Sequence, residues 1–273
     1  MMSSTTTSGL RDRTLAQLVD TFQASGRYVF SRDDAMAAFG SSETALQNAA
    51  RRLAAKGRLV MPRRGFFVVV PLEYRSAGAP PPSWFISELM RFHARPYYVG
   101  LLSAAAIHGA AHQQPQVFQV VTDRPLRPAT AGRSRILFFH KRQIRSTPTS
   151  KVRTETGTMR VSTPEATALD LVRYVAEVGH LGNVATVLAE LAEEMDGTRL
   201  VEAACAGVEF TVVQRLGYLL DDVGFPDLTD PLAHWLADQR PRLTPLRPDR
   251  PKKEVPRNQR WKVAVNETVE VDV

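Results

Sequence analysis

Between residues 11 and 70 the apolar positions change period several times, and each change predicts an element. Leu15, Leu18, Val19 and Phe22 recur at i, i+3, i+4, i+7, one face of a helix from Arg11 to Gln23 that Gly26 ends. Tyr28-Val29-Phe30 is a short extended piece. Ser31 then caps a second short helix, with Asp33 and Asp34 in the first turn, where the helix dipole favours negative charge. Ala35 and Phe39 face inward and Gly40 closes it. Ser41 or Ser42 is a good N-cap for a longer helix, in which Leu46, Ala50 and Leu53 form the apolar face. Its opposite face carries Thr44, Gln47, Asn48, Arg51 and Arg52, and Gly57 stops it. Leu59–Met61 and Phe66–Val70 read as two short strands about the turn Pro62-Arg63-Arg64-Gly65.

Helix, short strand, short helix, tight turn, longer helix and basic hairpin is the order of a winged helix-turn-helix. A polar outer helix face is by itself usually just solvated; the order of the elements is what points to DNA. In that arrangement the helix after the turn enters the major groove, and the wing touches backbone or minor groove. Asn48 and Gln47 suit adenine edges, and Arg51 or Arg52 suits guanine. Lys56, Arg58, Arg63 and Arg64 would neutralise phosphates and set register. Ser41, Ser42 and Thr44 would donate to phosphate near the helix N-terminus. The expected DNA-contacting set is Ser42, Thr44, Gln47, Asn48, Arg51, Arg52, Arg63 and Arg64. Within it Thr44, Gln47, Asn48 and Arg51 are assigned to base readout, and Arg52, Arg63 and Arg64 to phosphates.

Pro71 to Ser83 breaks the pattern with glycine and three consecutive prolines, and reads as a semi-rigid spacer. Beyond it the periods are mixed. Helices are expected from Ser83 to about His93, from Val99 to Ala110, and after Thr163-Pro164-Glu165, where a cap precedes proline at the first position. Further helices follow at about Leu181–Met195, Thr198–Ala206, Phe210–Val223 and from Thr229 or Asp230 to Ala237. Strands are expected at Val117–Thr122, Arg135–Phe139, in a hairpin of Lys151–Glu155 with Met159–Ser162, and at Arg260–Asn266. The fold class is therefore α+β: a disordered tail at 1–10, a winged helix-turn-helix domain at 11–75, a linker at 76–83 and a larger mixed α/β domain at 84–273.

A formal net charge of +7 favours a polyanionic partner. The 273 residues, 44% of them hydrophobic, suffice for a proper core. One cysteine, Cys205, excludes a disulfide framework and suits a reducing cytosol; its apolar helical context reads as packing. No apolar stretch is long enough for a membrane span, and the N-terminus lacks a signal-peptide design, so a cytoplasmic protein is expected. His108 and His112 are four apart, but the segment lacks the glutamate of a zinc-protease helix, and His93 and His140 have no spacing partner. No nucleotide loop or nucleophile elbow is present. Glu165 is first-turn dipole compensation rather than catalysis. Neither an enzyme nor a metal or cofactor is expected. Arg133, Arg135, Lys141, Arg142, Arg145, Lys151 and Arg153 form a second charge feature. It reads either as a solvated rim or as a basic face for DNA, RNA or an acidic protein.

The winged helix, YYVGLLSAAAIHGAAHQQPQVFQVVT (Tyr97–Thr122), VSTPEATALDLVRY (Val161–Tyr174), VVQRLGYLLD (Val212–Asp221) and RWKVAVN (Arg260–Asn266), in that order, resemble the AbiEi family of antitoxins from bacterial type IV toxin–antitoxin systems. The resemblance implies that the winged helix binds inverted repeats in its own promoter and represses the operon. It implies that the C-terminal domain counters a nucleotidyltransferase-like toxin, generally without a stable complex, and that no metal, cofactor or membrane is involved. The long proline-rich loop Arg240–Arg257 and the acidic tail after Asn266 depart from the pattern. The alternatives are an interaction module that neutralises the toxin by direct binding, and an enzyme acting on it.

Overall fold

A computed structural model describes residues 14–39, 42–110, 117–251 and 253–269. The expected tail at 1–10, the turn residues Gly40 and Ser41, His112 and the last residues of the acidic tail lie outside the described residues.

The first helix, α1 (Leu15–Ala24), opens on a capping box in which the Thr14 hydroxyl accepts from the Gln17 amide and the Gln17 side chain accepts from the Thr14 amide. After β1 (Val29–Ser31), Ser31 caps α2 (Arg32–Phe39): its Oγ accepts the Asp34 amide at 3.0 Å, and Asp34 Oδ2 accepts the Ser31 amide at 2.8 Å. The third helix, α3 (Glu43–Ala55), starts at Ser42, whose side chain accepts from the Ala45 amide, and Gly57 at φ +64 turns the chain out of it. β2 (Leu59–Arg63) and β3 (Phe66–Val69) form the wing, with the turn tightened to Arg64-Gly65. The sheet order is β1-β3-β2, so Pro62 sits on an edge strand, where its missing amide costs no ladder bond. Leu15, Leu18, Val19, Phe30, Leu46, Ala50, Leu53 and Phe67 fill a small core.

The proline-rich stretch is not a free spacer. Two short 3-10 turns, Leu72–Tyr74 and Pro82–Trp84, carry it across the surface of the second domain. The Arg133 amide donates to the Ala77 carbonyl at 2.9 Å. Gly132, at φ +54, lies so close to this stretch that a Cβ would stand 2.2 Å from the Ala77 oxygen. The wing's Phe66 and Val68 share a buried cluster with Phe85, Ile86, Leu89, Met90, Val99 and Ile136 of the second domain.

That domain begins with α4 (Ile86–Phe92), β4 (Tyr97–Val99) and α5 (Leu101–Ile107). The helix expected from Val99 is shorter because Tyr97–Val99 is taken into the sheet, where it pairs with both neighbours. β5 (Val117–Thr122), β6 (Ala129–Ala131), β7 (Ser134–His140), β8 (Thr149–Thr154) and β9 (Gly157–Ser162) complete a six-stranded mixed sheet of order β6-β7-β5-β4-β9-β8. α6 (Pro164–Arg173), capped by Thr163, crosses into a helical block of α7 (Leu181–Ala192), α8 (Gly197–Cys205), α9 (Phe210–Asp222) and α10 (Pro226–Asp238). The chain closes on a small sheet of β10 (Thr244–Pro245), β11 (Arg257–Asn258) and β12 (Val263–Ala264). The strand expected over Arg260–Asn266 is only Val263–Ala264; Trp261 is instead buried, with its indole donating to Asp221 at 2.7 Å. Cys205 is exposed on α8, contrary to its reading as a packing residue. Among the described residues no helix is long and apolar enough to cross a membrane.

Candidate nucleic-acid interface

The apolar face of α3 is spent inward: Leu46, Ala49, Ala50 and Leu53 are buried. A helix anchored on that side must present its other side outward, and Thr44, Gln47, Asn48, Arg51 and Arg52 are exposed. Among the described residues the side chains of Thr44, Asn48, Arg51 and Arg52 have no hydrogen-bond or ion-pair partner within the chain. Gln47 lies 3.4 Å from Glu43, itself paired with Arg32 at 3.2 Å. Ser42 is exposed but serves first as the cap.

Arg64 stands exposed at the wing tip. Between the wing and α3 runs a groove of about 580 Å³, whose walls include Gln47, Arg51, Met61 and Arg64. Beyond the hairpin, Phe92 of α4 is the one described residue that lines it; its ring rests 5.4 Å from Phe66. The second domain thus reaches the edge of the groove and leaves the outward face of α3 open.

Arg63 corrects the expectation. It does not face outward beside Arg64 but is half-buried, with its guanidinium donating to the Pro128 carbonyl at 2.9 Å and to the Arg127 carbonyl. Burial, with Arg127 alongside, lowers its pKa. Backbone carbonyls occupy its donors, so it joins the wing to the second domain rather than waiting for phosphate. His93 sits near this joint. Among the described residues its Nε2 is buried without a partner, and burial, together with Arg63 and Arg95, lowers its pKa.

The second basic face needs two corrections. Lys141 is buried, its ammonium 2.8 Å from the fully buried Asp170, which also accepts from the Tyr98 hydroxyl at 2.6 Å. A charge so placed is matched internally and meets no outside partner. Burial and Asp170 push the Tyr98 hydroxyl far above its ordinary range. Arg133, Arg135, Arg142, Arg145, Lys151 and Arg153 are exposed, but they do not form one face. Arg133 and Arg135 belong to the β6–β7 edge and Lys151 and Arg153 to β8, with β5, β4 and β9 between. At the usual strand spacing β7 and β8 are about 19 Å apart. His108, read as a helix-end or core residue, bonds the Ser162 carbonyl at 2.7 Å. Among the described residues no three His, Cys, Asp or Glu side chains gather as metal ligands.

An exposed polar helix face beside a basic wing, fused to a mixed α/β domain, defines a winged helix protein of the DNA-binding regulator class. A family model described as the AbiEi antitoxin C-terminal domain matches residues 98–222, and one described as a transcriptional regulator, AbiEi antitoxin, matches residues 17–70. The chain belongs to the AbiEi antitoxin family, whose members pair an antitoxin role with transcriptional regulation. Among solved structures it is similar to the RV2827C protein from Mycobacterium tuberculosis, with a TM-score of 0.64 over 93% of this chain and 91% of that one. At 17% identity that likeness shows the fold alone. No curated protein matches the chain.

Proposed function

We propose that this protein is the antitoxin of a type IV toxin–antitoxin operon and represses that operon itself. In this reading α3 enters the major groove of inverted repeats in the promoter. Thr44, Gln47, Asn48 and Arg51 read base edges, while Arg52 and Arg64 contact phosphates. The larger domain counters a nucleotidyltransferase-like toxin without forming a stable complex, and no cofactor takes part. The observation that carries the reading is the outer face of α3, whose side chains have the donors and acceptors that base edges require yet make almost no bonds among the described residues. The family's regulator description supports it.

A reporter placed behind the operon's own promoter tests the repressor half. The parent chain should silence it, and a variant carrying Gln47→Ala, Asn48→Ala and Arg51→Ala should release it while still protecting cells from the toxin. Equal silencing by the variant would remove α3 from the account. Co-purification of chain and toxin through gel filtration would instead favour neutralisation by direct binding.

A further inference from the structure

A second concave surface lies between the two domains, away from α3. It is a cleft of about 1260 Å³ that no residue of α3 lines. Its lining includes the α1–β1 turn with Arg27, Arg91 at the end of α4, Arg95 just after it, Arg145, and the β8–β9 hairpin with Lys151 and Arg160. The one carboxylate among its lining residues is Glu88.

Three of these cations already have carboxylate partners: Arg27 with Asp34 at 3.0 Å, Arg91 with Glu88, and Arg95 with Asp123 at 3.7 Å. Arg145, Lys151 and Arg160 are exposed and have none among the described residues. Two of them are set against each other, since Lys151 and Arg160 are directly opposed in the antiparallel hairpin. Directly opposed residues share a face with their Cβ atoms about 5 Å apart, and like charges so placed destabilise the pair. Arg153, two residues along β8, adds a third cation on that face. A hairpin that holds three like charges together, none of them ion-paired among the described residues although Glu155 lies in its turn, is arranged for an anion from outside.

The rest of the lining narrows which anion. Trp84 and Tyr97 line the cleft, as do the hydroxyls of Ser87, Thr149 and Thr158. Tyr97 is held in place by Ser87, whose Oγ lies 2.5 Å from the phenolic oxygen and 2.5 Å from the Thr158 carbonyl. Cations that track a backbone, interleaved with aromatic faces on which bases stack, are the means by which proteins hold single strands. A duplex hides its base faces and is read by elements that project into its grooves; this surface is recessed.

We propose that the cleft between the domains binds a single-stranded stretch of nucleic acid, its phosphates along Lys151, Arg160 and Arg145 and its bases against Tyr97 and Trp84. This goes beyond the operator reading and fails or stands separately from it, because the two surfaces share no residue of α3.

The test is fluorescence anisotropy of the full chain with labelled ribo- and deoxyribo-oligonucleotides of mixed sequence, about 12 nucleotides long. Either strand should bind, and the tighter of the two identifies the sugar preferred. Lys151→Glu places an opposite charge against Arg160, so it should raise or preserve the thermal midpoint while weakening single-strand binding at least about tenfold. Lys151→Gln should give a smaller loss in the same direction. Arg51→Ala should leave single-strand binding unchanged. Undiminished binding by a folded Lys151→Glu chain would overturn the proposal. So would loss of single-strand binding in Arg51→Ala, or a polyglutamate peptide competing as well as the oligonucleotides, which would mark a site for acidic protein.

Discussion

Two adjacent arginines at the wing show how position decides the role of a side chain. Arg64 is exposed at the tip and unbonded among the described residues, while Arg63 spends donors on the carbonyls of Arg127 and Pro128. Arg63→Ala should therefore lower stability by about 1 kcal/mol, since the hydrogen bonds to the exposed Arg127 and Pro128 carbonyls are lost, and leave the salt dependence of DNA binding alone. Arg64→Ala should do the opposite. The buried pair gives a sharper contrast. Lys141→Ala would strand Asp170 in the core at a cost of about 3–5 kcal/mol, whereas Lys141→Met combined with Asp170→Leu and Tyr98→Phe, which removes the whole buried polar group, should be near neutral. Urea midpoints at unchanged m would report both. Sequence could not separate these residues. Arg63 and Arg64 look alike as neighbours, and Lys141 reads as one more surface cation until the fold brings it to Asp170, 29 residues away.

At the scale of elements, what carried a local signal could be read from the chain. α1, α3 and α6 each have a cap and an apolar stripe that need no tertiary context, and α2 has at least its Ser31 cap. β4 and β6 do not. Each is three residues long, and they are strands only because the sheet supplies partners from elsewhere in the chain. The same limit hid the joint between the wing and the second domain, where the half-buried His93 lies near Arg63 and Arg95. Its pKa is lowered on folding from 6.5, so the folded state resists protonation that the unfolded chain accepts. Stability is therefore fully present above about pH 6.5 and should be lost as pH falls below that value. His93→Phe should remove that part of the pH dependence. Thermal midpoints of parent and variant across pH 5 to 8, the span over which histidine titrates, would measure it.

At the scale of the whole molecule the two family matches suggest a pair of separable units, yet the physical core does not divide there. Phe66 and Val68 of the wing are buried with Phe85, Leu89 and Val99, and Trp84 packs on Tyr28 at 5.0 Å. Cutting the chain in the proline-rich stretch would expose that shared cluster. Calorimetry should accordingly show one cooperative transition, with calorimetric and van't Hoff enthalpies in agreement; two resolved transitions would mean the domains fold independently. The proline run concealed this, because its composition suits a spacer; the approach of Gly132 to Ala77, the Arg133–Ala77 hydrogen bond and the burial of Ala79 reveal that it is packed.

A rigid joint of this kind would present α3 and the wing to DNA as one surface, and equilibrium binding to the protein's own promoter across a salt series tests that most directly. Asn48→Ala should cost about 1–3 kcal/mol on the operator and relax selectivity at one position. Arg64→Ala should weaken operator and unrelated DNA alike and reduce the salt slope by about one. If both variants bind like the parent at every salt concentration, the outer face of α3 is not where this protein meets DNA.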